Sequence, residues 1–160
     1  MANDKTPLAG GLVGLPRIVE GTKSRYEADV TLDDERVWKV AWDRKTKLAT
    51  VYDESNTLIG WTERDPREFR QVVLASGEKP AVSMQDGWLS SVVWIDDTKH
   101  KAVMMLEGRK RVFGNERLRL EHRDFKSEVR FRCAPGLEVA AVIVAFEVYC
   151  SGNCQGRHEV

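Results

Sequence analysis

From Arg25 to Cys133, apolar and polar residues alternate in short runs divided by turn residues at close spacing, a pattern that predicts an all-β domain. Tyr26, Ala28, Val30 and Leu32 alternate with polar neighbours, and Trp38, Val40 and Trp42 fall on one face of the next strand. Residues 48–52 and 57–61 continue as a meander, joined by turns rich in Asp, Asn and Ser. Phe69, Val72, Val73 and Leu74 fit one helical turn or a strand equally well. Further strands are predicted at 81–84, 88–95, 101–106, 112–113, 118–122 and 128–133. In all, the pattern predicts roughly nine to twelve antiparallel strands.

The pattern changes after Pro135-Gly136. Residues 137–150 are apolar apart from Glu138 and Glu147. As a helix this stretch would reach roughly 20 Å, short of the roughly 30 Å hydrocarbon core of a bilayer. It is apolar nearly all round, so protein must surround it on almost every side. Many half-buried strands need a filling, and this helix needs walls. A closed or nearly closed β-barrel around a C-terminal apolar helix satisfies both, and it leaves no long unpaired edge. The rival arrangement is an empty, lipocalin-like barrel for a small hydrophobic ligand, with 139–148 as another strand or an outside helix.

Residues 6–14 hold three glycines and a proline among small apolar residues, and 1–24 is expected to be a flexible N-terminal arm. The single domain is placed at 25–150 and a C-terminal tail at 151–160. The chain of 160 residues carries 25 basic and 25 acidic residues, so no global charge draws it to nucleic acid or to a membrane. The opening residues lack the apolar core of a signal peptide, no transmembrane segment is expected, and three cysteines suit a reducing compartment. A cytoplasmic location follows as the expectation.

A string of short meandering strands, a basic last strand, a Pro-Gly turn and a strongly apolar helix resembles the tubby-like C-terminal domain superfamily. That superfamily includes tubby proteins, phospholipid scramblases and LURP-one-related proteins. The residues carrying the resemblance are Phe131-Arg132-Cys133-Ala134-Pro135-Gly136 with the helix through Phe146, together with hairpins such as 48–60. It implies a barrel around the helix and a peripheral, non-enzymatic role in binding phosphoinositides through basic residues on the barrel exterior. Scramblase activity is not implied, because the proline-rich and cysteine-rich segments are missing and Glu138 and Glu147 suit lipid poorly.

Local charge supplies a candidate surface. Between Arg109 and Arg132 nine basic residues face four acidic ones. Arg109, Lys110, Arg111, Arg117, Arg119, Arg123, Arg130 and Arg132 are the candidate phosphate-binding residues, since guanidinium groups take phosphate bidentately. The plain alternative is a solvated β surface whose arginines pair with glutamates across strands. The expected partner is an anionic membrane surface or, alternatively, a protein for which the chain is an adaptor.

Catalytic and metal chemistry find little support. His100, His122 and His158 stand in no nucleophile motif, and the acidic clusters at 33–35 and 96–97 are turn residues first. Cys150, Cys154 and His158 lie within nine residues but lack a fourth zinc ligand. No cofactor and no catalytic residue are expected. The five tryptophans, at 38, 42, 61, 88 and 94, are expected to pack on the helix or cap the barrel ends.

Overall fold

The computed structural model describes residues 9–86, 91–95, 98–102, 110–113, 118–123 and 128–156, with side chains over 9–85, 93–95, 118–121 and 129–147. In chain order the strands are β1 (Ala9–Val13), β2 (Arg17–Ile18), β3 (Arg25–Leu32), β4 (Val37–Asp43), β5 (Ala49–Tyr52), β6 (Leu58–Arg64) and β7 (Arg70–Leu74). They continue as β8 (Val82–Asp86), β9 (Ser91–Ile95), β10 (Thr98–Ala102), β11 (Lys110–Phe113), β12 (Leu118–Arg123) and β13 (Glu128–Cys133). One helix, α1 (Glu138–Gly156), follows.

All pairings are antiparallel, in the order β10-β9-β8-β7-β6-β5-β4-β3-β1-β13-β12-β11, with β2 paired to β3. The sheet curls strongly into a half-barrel around α1, so the mainly β fold with an enclosed apolar helix is what the chain adopts. Among the described residues β10 and β11 are the two edges, and the lysines at 99 and 101 give β10 the charged sequence that discourages edge pairing.

Alternation works as predicted. In β3 Tyr26, Ala28, Val30 and Leu32 are buried while Arg25, Asp29 and Thr31 are exposed. Leu118 and Leu120 of β12 and Val129, Phe131 and Cys133 of β13 join the same core. Every residue of α1 from Val139 to Glu147 is buried, so the helix meets protein all round. Trp42 packs its ring tilted against Phe146 at 6.1 Å and against Tyr26 at 6.4 Å. Backbone comes close where side chains are smallest: a Cβ on Gly60 of β6 would lie 2.5 Å from Val139 Cγ1 of the helix. The helix thus occupies the volume that a lipocalin-like ligand would need. Among the described residues no helix is long and apolar enough to cross a membrane.

Four expectations change. The stretch expected as a flexible arm contributes β1 to the middle of the sheet, where it pairs with β13 on one side and β3 on the other. Its glycines mark close backbone approach instead of freedom: a Cβ on Gly10 would lie 2.7 Å from the Phe131 carbonyl oxygen, and one on Gly11 would lie 2.7 Å from that of Thr31. With β2, this raises the count to thirteen strands, of which eleven follow Arg25 as expected. The helix runs to Gly156 instead of ending at 150, through a Ser-Gly-Asn sequence whose helix penalty is only about 1 kcal/mol for the glycine. Two tryptophans face outward: Trp94 stacks on Phe69 at 6.3 Å, and Trp61 donates its Nε1–H to Glu63 at 2.7 Å. Trp88 lies outside the described residues.

Four of the hairpin turns share one geometry. After β3 the N–H of Leu32 donates to the Arg36 carbonyl, and that of Glu35 donates to the Leu32 carbonyl, both at 2.8 Å. The same pair of bonds recurs in the turns starting at Asp53, Asp65 and Leu74. Each turn ends on a left-handed residue: Glu35 (φ 76°), Asn56 (φ 63°), Glu68 (φ 70°) and Gly77 (φ 96°). Glycine alone takes that conformation without steric cost. Glu35→Gly and Glu68→Gly are therefore expected each to raise stability by about 0.5–1 kcal/mol in urea unfolding. Unchanged or lower midpoints for both would show that the turn backbone is not under strain.

Candidate functional site

The register of β11, β12, β13 and β1 decides which of the basic residues share a surface. Leu118 and Leu120 point into the core, so Arg119 and Glu121 take the outer face. Phe131 and Cys133 do the same for β13 and leave Arg130 and Arg132 outside. Arg119 is registered directly opposite Arg132, and Glu121 directly opposite Arg130. Like charges placed opposite each other across a sheet are destabilising, whereas the second pair is the ordinary cross-strand arrangement. Arg130 has a further partner, Asp33, at 3.8 Å.

Arg132 is exposed and is followed across the sheet by Gly10, so no side chain of β1 covers it. Its Cγ lies 3.4 Å from where a Gly10 Cβ would be, and Asp33 Oδ2 lies 3.0 Å from the same point. The arginine stem therefore crosses bare backbone, with one carboxylate beside it. The remaining expected residues divide. Lys110 is registered with Glu121 of the outer row, and Arg123 with Glu128. Arg111 is registered with Leu120. Arg109 and Arg117 lie outside the described residues.

Next to this row, Gly10, Leu32, Asp33, Asp34, Arg36 and Glu138 border a shallow depression of ≈ 160 Å³. Three carboxylates against one guanidinium give it the wrong sign for phosphate. Asp34 serves its turn: the Arg36 backbone N–H and guanidinium hold its carboxyl below the usual aspartate range. That agrees with reading 33–35 as turn residues.

Inside the barrel stands a polar group that the pattern did not reveal. Glu147 of α1 accepts a hydrogen bond from Trp42 Nε1 at 3.2 Å and a charged one from Arg70 Nη2. The Arg70 side chain is 0% exposed and that of Glu147 4%. Glu147 announced itself as a charge in an apolar run, which must find a partner when buried. Arg70, flanked by Phe69 and Gln71, gave no such signal. This pair joins helix to sheet and leaves no approach for a substrate.

Cys133 is buried, and that burial, with the Glu138 charge nearby, pushes its thiol up to about 12. At neutral pH the thiol is therefore protonated. The tail set Cys150, Cys154 and His158 lies beyond the described side chains, as do His100 and His122. Among the described residues no three His, Cys, Asp or Glu side chains gather as a metal site would require.

No protein-family model matches this chain, and no curated protein or solved structure matches it either.

Proposed function

We propose that the chain is a non-enzymatic binding module of tubby-like type that meets anionic phospholipid, phosphoinositide headgroups above all, on the outer face of β12 and β13. The carrying observation is the exposed pair Arg119 and Arg132, set opposite each other on neighbouring strands. A phosphate between them would accept a charge-assisted contact from each guanidinium. Arg130, paired with Asp33 and registered opposite Glu121, serves to orient the row. Lys110 and Arg123 extend it along the sheet, and Arg109 and Arg117 adjoin it in sequence. With α1 filling the interior, the outside is where such a ligand has room. The module would work as a peripheral protein at the cytoplasmic face of a membrane.

Co-sedimentation with vesicles tests this. Phosphatidylcholine vesicles carrying a few per cent phosphoinositide should pellet the protein at low salt and release it as salt screens the contact. Arg119→Glu combined with Arg132→Glu should weaken pelleting at least about tenfold, since each basic residue near an anionic surface contributes about 1 kcal/mol. Lys39→Glu, on β4 three strands away from β13, should change it little. Absence of pelleting at low salt would remove the proposal.

A further inference from the structure

The strands run between two ends of the half-barrel, and the turns at those ends carry opposite charge. At one end lie the turns following β3, β5 and β7 and the start of α1. Asp33, Asp34 and Glu35 stand in the first turn, Asp53 and Glu54 in the second, and Glu78 in the third. With Glu138 there are seven carboxylates in these segments, against Arg36 and Lys79, with Arg130 and Arg132 of β13 reaching Asp33 from the wall.

The other end is built from residues 19–25 and the turns following β4 and β6. Hydrogen bonds bind these pieces into one rim: the Arg44 backbone N–H donates to the Ser24 carbonyl at 2.8 Å, and Arg64 Nη2 donates to the Thr46 carbonyl at 2.5 Å. Arg64 Nη1 reaches the Glu68 carbonyl at 3.3 Å and so ties the two turns together. Over 19–25, 43–47 and 64–68 seven Lys and Arg residues stand against four carboxylates. Within these described segments the net charge is negative at one end and positive at the other. The exposed large apolar residues divide the same way: Val37 and Leu58 sit beside the acidic turns, while Leu15 and Ile18 lie toward the basic end.

We propose that the two ends are the complementary halves of one interface, through which copies of this chain associate head to tail. Each end offers a net charge of one sign with apolar side chains beside it, and the partner that matches both is the opposite end of a second copy. Complementary potentials set the orientation of such a contact, and a neutral net charge removes the long-range repulsion that would oppose it. Because different surfaces meet, the association is heterologous and continues beyond a dimer, as a ring or an open string. The Arg119 and Arg132 row lies on the outer wall and borders the acidic end, where Arg132 stands beside Asp33.

Analytical ultracentrifugation of the full chain over a range of concentrations decides this. At about 0.01 M salt, where the screening length is about 30 Å, the mean mass should climb with concentration past a dimer. At about 1 M salt, where that length is about 3 Å, it should fall back to the monomer. One variant reverses the acidic end, one residue per turn: Glu35→Lys, Glu54→Lys and Glu78→Lys. A second reverses the basic end through Lys23→Glu, Lys45→Glu and Arg67→Glu. Each alone should lose self-association by at least about tenfold, since like charges brought together cost several kcal/mol. The two mixed should associate again, which a folding defect would not produce. A parent chain that stays monomeric at low salt overturns the proposal. So does a mixture that stays apart although both variants melt cooperatively. If a triple variant does not fold, Glu54→Lys mixed with Lys45→Glu gives the same decision.

Discussion

Glu147→Ala and Arg70→Ala are each expected to cost roughly 3–5 kcal/mol, because each strands its partner's charge in the core without compensation. Against a typical total stability of about 5–15 kcal/mol, either loss leaves a chain that unfolds at low urea or does not fold at 37 °C. The geometry makes the two effects one. Arg70 and Glu147 are both buried and joined directly, so the double change Arg70→Met with Glu147→Leu should recover most of the loss. A double-mutant cycle in urea measures this, and additive single losses below about 1 kcal/mol would show that the pair is not coupled. Glu147→Gln should fall between, since its side-chain oxygen can still accept from Trp42 and Arg70 while the charge is gone. The role we assign to the pair is orientation. A helix that is apolar on every face packs about equally well at several rotations, and one ion pair to β7 with one hydrogen bond to β4 selects among them. The double variant should therefore stay stable while its near-ultraviolet circular dichroism weakens.

How much of this could be read from the chain depends on whether a residue's surroundings are local. The alternation in β3, β4, β12 and β13 is a property of neighbours in sequence, and it gave both the strands and their inward faces. The apolar run of α1 likewise required walls wherever they came from. Arg70 could not be read, because an arginine beside Gln71 looks solvated until a partner 77 residues away is supplied. Thr98 and Lys99 fall outside the strand expected at 101–106 because a charged edge strand has the composition of a turn. The basic residues were visible as an excess, yet composition cannot place them. Only register sets Arg119 opposite Arg132 and Arg111 opposite Leu120.

The glycines of β1 mislead for the same reason and lead to the other large effect. Gly10 and Gly11 read as flexibility because their purpose lies in strands reached far along the chain. Among the described residues β1 is the strand that joins the run β3–β10 to the run β11–β13. A chain shortened to start at residue 14 should therefore lose the five residue pairs to β13 and the three to β3, and bare two apolar-faced edges. It is expected to lose cooperative unfolding, bind a hydrophobic dye, and lose amide protection across β13 and α1. Supplying residues 1–14 as a separate peptide should restore protection, by the strand addition that open sheet edges support. Gly10→Ala and Gly11→Ala in the full chain should each cost about 1–3 kcal/mol, since their added methyls meet carbonyl oxygens that cannot turn aside as a side chain would. A shortened chain that melts as sharply and at the same temperature would mean that β3 and β13 hold together without β1. In that case the packing of α1 against both runs, and not the strand between them, would close the fold.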